Sequence, residues 1–185
     1  MKRKKKWAKC PACQTERDRT EMRAALAAMD ALRRKSFSHY QELKVDVYDS
    51  SVYADFNWAC DQCLEDKRAI AAHPSLQQYC WYPHFAYFDT LHTCRTCQES
   101  FTFTKREKRF WFEQLKFWID AEPVNCVDCR KEIRQLKQEN KTLSTVLRKK
   151  KEDMTPQELE AVITIYKKWG NADRMKYYQS VLRKG

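Results

Sequence analysis

Cys94-Arg95-Thr96-Cys97 and, with 28 residues between, Cys126-Val127-Asp128-Cys129 are the stretches that decide the fold of this chain. Two cysteines separated by two residues form a tight knuckle whose sulfurs face one tetrahedral ion, and two such knuckles complete a four-thiolate set. The same pattern stands upstream at Cys10/Cys13 and Cys60/Cys63, with 46 residues between them. Eight of the nine cysteines are thus paired, and Cys80 is left over. The expected metal ligands are Cys10, Cys13, Cys60, Cys63, Cys94, Cys97, Cys126 and Cys129, holding two Zn2+ per chain. Four knuckles combine in three ways; sequential pairing lets each half close its own site, and interleaving stays open.

Composition narrows the function from the other side. The 185 residues suffice for a real core. Gly occurs only at Gly170 and Gly185, which excludes a Gly-rich phosphate cradle, a dinucleotide fingerprint and a nucleophile elbow. No His-Glu-x2-His cluster offers an open zinc position, and a four-thiolate site has no coordination position for water or substrate, so the expectation is a non-enzymatic protein. A thiol oxidoreductase is the remote alternative, because the alternating strand and helix context of a redox Cys-x2-Cys is missing. Met1-Lys-Arg-Lys-Lys-Lys-Trp7 contains no apolar core of a secretory signal and no stretch approaches a bilayer span, so the reading is a cytoplasmic protein without membrane contact, its cysteines reduced.

Charge is concentrated at the ends. The formal net charge is +11, with +6 in residues 1–20 and +7 in residues 130–151, whereas residues 21–129 sum to −3. Each four-thiolate zinc site carries a formal −2, and the protein stays basic after that correction. Lys2, Arg3, Lys4, Lys5 and Lys6, together with Arg148, Lys149, Lys150 and Lys151, are the candidate nucleic-acid contacts, with RNA or a ribonucleoprotein favoured over DNA.

Local patterns assign the rest as α+β: small zinc-ribbon hairpins with Cys-x2-Cys knuckles, a helical N-terminal segment and C-terminal helices. Thr15 and Asp18 open a helix carrying Met22, Leu26, Met29 and Leu32 to about Lys35. Residues 43–47 and 52–58 alternate as a hairpin, and a short helix from Leu64 to Ala72 stops before Pro74. Thr104 and Glu107 cap a helix expected to reach Trp118 and to bury Trp111, Leu115 and Trp118. Ile133, Leu136, Asn140, Leu143 and Leu147 follow a coiled-coil-like seam with a polar core position. Thr155-Pro156-Gln157-Glu158 starts a further helix closed by Gly170, and Asn171 caps a last one bearing Met175, Tyr178 and Leu182. The expected division is residues 1–84, 85–130 and 131–185. The aromatic and basic run from Phe101 to Phe112 reads as core-building side chains with a wet basic face, in preference to a base-stacking surface. His92, near Cys94, is a weak alternative ligand.

Asp89, Leu91, Cys94-x2-Cys97, Phe101-x-Phe103-Thr104-x2-Glu107, Phe110-Trp111, Pro123 and Cys126-x2-Cys129-Arg130 together resemble the bacterial "probable zinc-ribbon domain" family over about residues 85–135. The resemblance implies a zinc-binding ribbon without established enzymatic activity, with Cys94, Cys97, Cys126 and Cys129 as ligands. The family pattern sets a Gly and a basic residue before the last knuckle, where this chain has Asn125. A protein-interaction adapter using the C-terminal helices is the alternative function. Sequence leaves the partner, the process and the oligomeric state open.

Overall fold

A computed structural model describes residues 7–35, 56–78 and 83–183 of the chain. Lys2, Arg3, Lys4, Lys5, Lys6 and Cys80 lie outside them, as does the expected hairpin up to residue 55. The chain divides into two compact units, Met1–Cys126 and Val127–Gly185.

In the first unit, β1 (Ala8–Lys9) pairs antiparallel with β2 (Glu16–Arg17) around the Cys10–Cys13 knuckle. Asp18 then caps a 3-10 turn, Arg19–Glu21, accepting from Thr20 N, while Glu21 returns a carboxylate oxygen to Asp18 N. The expected first helix therefore begins later, as α1 (Arg23–Lys35), because Asp18 spends its capping oxygen on the tight turn. Its free N-terminal donors are met from 38 residues away: Asp61 accepts from Arg23 N and Ala24 N at 3.1 and 3.0 Å. That carboxylate sits in the first turn of α2 (Asp61–Glu65), so one side chain fixes α2 against the start of α1. Met22, Ala25 and Met29 bury against Phe56, Trp58 and Ala59.

The helix expected over 64–72 is a correction. Lys67 turns left-handed at φ 57°, and the chain continues as β3 (Ala69–Ala71), paired with β4 (Ala86–Phe88) in the register Ala69↔Phe88 and Ala71↔Ala86. Strand pairing satisfies the backbone there, so the short apolar run Ala-Ile-Ala is β rather than helix. Phe56 to Trp58, expected to end a strand, has no regular structure. Next come β5 (Thr90–Thr93) and β6 (Ser100–Phe103), paired from Thr90↔Phe103 to Thr93↔Ser100 about the Cys94–Cys97 knuckle.

Thr104 caps α3 (Lys105–Arg109), its hydroxyl accepting from Glu107 N. The next five residues, Phe110–Gln114, widen into a π turn in which Leu115 N donates to Phe110 O, and Lys116 at φ 57° ends it. One extra residue per turn rotates the following side chains. The helix therefore stops short of Trp118, and the buried pair is Phe112 and Glu113, while Leu115 and Trp118, expected in the core, are 45% and 64% exposed. Phe112 packs with Ala72, Tyr87 and Ile119.

The second unit is helical. α4 (Val127–Val146) leads to α5 (Pro156–Lys168), opened by the expected Thr155/Glu158 capping box, and to α6 (Ala172–Leu182), capped by Asn171 accepting from Arg174 N. Gly170 at φ 70° makes the left-handed turn between the last two. Leu143, Val146, Leu159, Val162, Ile165, Tyr166 and Tyr178 form its core, with the Tyr166 and Tyr178 rings stacked at 5.8 Å. The seam expected along α4 is a second correction. Leu136 is half exposed, Leu147 is 38% exposed, and Asn140 donates to the Leu136 carbonyl of its own helix. Only Leu143 of the seam is buried, and Val146 replaces Leu147: these two join the core with Leu159 and Val162 of α5, while Glu139 of α4 accepts from Lys168 Nζ and Trp169 Nε1.

Candidate metal centres

The two knuckled hairpins are built alike. Gln14 and Gln98, each directly after the second cysteine, adopt the left-handed conformation at φ 60° and 63°. Their N–H groups donate to Cys10 O and Cys94 O, and their side-chain amides donate to Pro11 O and Arg95 O at 2.8 and 2.9 Å. Cys10 N and Cys94 N donate across the hairpin to Thr15 O and Glu99 O, both at 2.9 Å. This closed ring of bonds aims both sulfurs of each pair at one point. The second pair of each set is not a hairpin knuckle: Cys60 caps α2 and Cys63 lies within it, while Cys126 directly precedes α4 and Cys129 lies in its first turn. A helix start offers free N–H groups and the positive end of its dipole to thiolates.

The sulfurs converge as two sets, Cys10, Cys13, Cys60, Cys63 and Cys94, Cys97, Cys126, Cys129, with the ligand atoms of each within 4.8 Å of one another. The pairing left open by the sequence is therefore sequential. Four thiolates at about 2.3 Å from a tetrahedral zinc stand roughly 3.8 Å apart. Cys13 Sγ to Cys60 Sγ and Cys97 Sγ to Cys126 Sγ both measure 3.9 Å, far beyond a disulfide bond of about 2.05 Å. The residues thus fit two Zn2+, and the all-thiolate donor set suits zinc over the harder divalent ions.

Surroundings tune the sulfurs unevenly. Burial pushes the Cys10 and Cys63 thiols up, against a backbone hydrogen bond from Cys60 N to Cys10 Sγ at 3.3 Å. At Cys13 burial acts upward too, yet hydrogen bonds from Thr15 and its cysteine neighbours bring it down to about 6. Cys94 falls to about 6 as backbone N–H groups of Cys97, Cys126 and Thr96 outweigh desolvation. Zinc binding removes whatever thiol protons remain at each site. The two sets differ in depth. Cys10, Cys60 and Cys63 are core residues beside Trp58, whereas Cys97 is exposed and Cys126 half-buried. Asn125, directly before Cys126, links it to the first knuckle of its set: its Oδ1 accepts from Thr96 Oγ1 at 3.0 Å.

His92 stands outside both sets, its Nε2 2.8 Å from Thr90 Oγ1. Phe103 and Phe112 are buried, and Lys108 Nζ lies 5.0 and 5.3 Å from the Phe88 and Phe103 ring centres, where burial lowers it to about 8. Arg148, Lys149, Lys150 and Lys151 are exposed at the turn after α4, with Lys149 bridged to Glu158 at 2.5 Å and Lys151 over the Tyr177 ring. No helix among the described residues is long and apolar enough to cross a membrane. The signal that sequence reasoning missed was the glutamine after Cys13 and Cys97, which marks these two pairs, and not the others, as hairpin knuckles.

Residues 88–138 match the model of a family described as a probable treble clef domain. The match spans β5, β6, α3 and the first half of α4, with all four cysteines of the second set. No curated protein and no solved structure matches the chain.

Proposed function

We propose that this chain is a non-catalytic protein of the cytoplasm whose two zinc ions hold a scaffold that binds RNA, or a ribonucleoprotein, through basic segments. The observation that carries it is the exposed run Arg148-Lys149-Lys150-Lys151 in the turn after α4, within a stretch of +7 formal charge. Glu158 and Tyr177 hold Lys149 and Lys151 in place, and Arg148 and Lys150 complete a compact cationic corner. Such a corner neutralises phosphates and releases their counterions. Lys2 to Lys6 supply a second cationic segment. The coordinatively saturated cysteine sets support a structural role for the metal, since an added ligand would have to displace a thiolate.

The test is anisotropy of labelled single-stranded RNA and DNA across a salt series. For about five phosphate contacts, log K falls with a slope of roughly −3.5 against log salt. Replacing Arg148, Lys149, Lys150 and Lys151 by Gln, or deleting residues 2–6, flattens the slope with both zinc ions retained. Absence of binding at low salt overturns the proposal. A second reading, a protein adapter, draws on Leu136 and Leu147, half and 38% exposed on α4; it expects a defined protein in pull-downs and no salt-steep RNA binding.

A further inference from the structure

The π turn that ends α3 places in solvent what helical spacing would have buried. Between Phe110 and Trp118 the chain exposes Phe110 (52%), Leu115 (45%), Phe117 (41%) and Trp118 (64%). Four large apolar side chains in nine residues are a costly way to meet water unless something covers them. The platform is held from behind. Trp111 packs on Phe103 at 4.9 Å and meets the Phe117 ring edge-on at 5.1 Å and 77°. Phe117 N donates to Trp111 O, and Ala121 N donates to Trp118 O. Lys116 reaches the Leu76 carbonyl, which pins the left-handed turn between Leu115 and Phe117.

Its border is cationic. Of the five basic residues in 105–118, Lys105 pairs with Asp89, Arg109 with the buried Glu113, and Lys108 lies over the Phe88 and Phe103 rings, which leaves Arg106 and Lys116 as the cations available to a ligand. Arg106 is exposed one helical turn before Phe110, and Lys116 keeps further N–H donors beyond its bond to Leu76 O. Flat rings bordered by guanidinium and ammonium groups suit bases that stack while their phosphates meet the cations. A protein partner would be expected to bring acids to the border and aliphatic knobs to the face, and this face presents mainly planar rings.

We propose that Phe110, Phe117 and Trp118, bordered by Arg106 and Lys116, form a stacking platform for single-stranded nucleic acid. The inference rests on the nucleic-acid reading above, and it adds a term that salt does not screen. Stacking contributes to the intercept of a log K against log salt plot, whereas the basic segments set its slope.

The experiment uses the full zinc-loaded chain with labelled 12-mers of U and of dT, and an equal-length duplex. Trp118→Ala and Phe110→Ala should each weaken single-strand binding about 10-fold at every salt concentration with the slope unchanged, in line with the cost of one lost stack. Trp118→Phe should restore binding to within about threefold of wild type, a rescue that simple unfolding would not give. Duplex binding should be insensitive to both alanine changes. If wild type binds single strands and both alanine variants bind equally well, the face is a protein contact or bare surface and the inference falls while the nucleic-acid reading stands. If wild type binds no oligonucleotide at low salt, both fall.

Discussion

Glu113 is the most informative residue to change within the first unit, because its carboxylate is buried and joins three segments. Its side chain is 3% exposed, one oxygen accepts from His73 N at 2.8 Å, and the other pairs with Arg109 Nε at 3.1 Å. Glu113→Ala leaves the His73 N–H without its acceptor; His73 is exposed, so water reaches the freed donor and the loss stays near the low end of the range for an orphaned group, about 1 kcal/mol. Loss of the ion pair adds no more than about 1 kcal/mol, because the Arg109 side chain is 43% exposed and solvent screens it. The expected destabilisation is about 1–2 kcal/mol. Glu113→Gln keeps an oxygen for His73 N and loses only the charge, so it should cost about 1 kcal/mol. Chemical denaturation at fixed free zinc, monitored by tryptophan emission, separates the two variants. Equal losses in both would mean that the ion pair, and not the orphaned backbone donor, carries the energy. A loss below about 1 kcal/mol in Glu113→Ala would refute the reasoning altogether.

Three further outcomes follow from single residues. Burial lowers His84 to about 4, with Nε2 3.1 Å from Ile119 O and Nδ1 2.7 Å from Asn57 Nδ2. The unfolded chain takes up this proton near pH 6.5 and the folded one only near 4, so stability is full above 6.5 and falls with pH through that window, by up to about 3 kcal/mol. An imidazole titration followed by NMR checks it; a His84 midpoint near 6.5 contradicts it. The buried Tyr87 hydroxyl lies beside Glu113 and Gln77 but makes no hydrogen bond of good geometry with either, so Tyr87→Phe should change stability by less than about 1 kcal/mol, and a clear loss on melting would mean that the hydroxyl is well satisfied. Gly170→Ala meets no atom within 4 Å and suffers only the left-handed backbone, so it should cost about 1 kcal/mol in the helical unit, measured by urea unfolding, and no loss would refute the turn assignment.

The cysteine spacing made the mixed fold, the two metal sets and the β5–β6 hairpin legible, because ligand geometry is local and Cys-x2-Cys admits few arrangements. Thr155, Gly170 and Asn171 gave the helical turns correctly for the same reason: caps are short-range chemistry. What escaped the sequence was whatever depends on partners far along the chain. The role of Asp61 as a cap for α1 spans 38 residues. Ala69 to Ala71 took its conformation from β4 rather than from its own propensity. The π turn at Phe110 shifted the buried face by a fraction of a turn, enough to exchange Leu115 and Trp118 for Phe112 and Glu113. Along α4 the periodicity of Leu136 and Asn140 was real, but periodicity states only which residues share a face and not what covers it.

The central claim is that eight cysteines in two sets hold two structural zinc ions. Native mass spectrometry of the chain purified without chelator or added metal tests it most directly. The expected chain mass is that of the reduced chain increased by two zinc atoms and reduced by four protons, since each Zn2+ replaces two protonic charges in an ion of the same charge. A mass with one zinc or none, or a metal-free mass short by the two hydrogens of each disulfide, would contradict it.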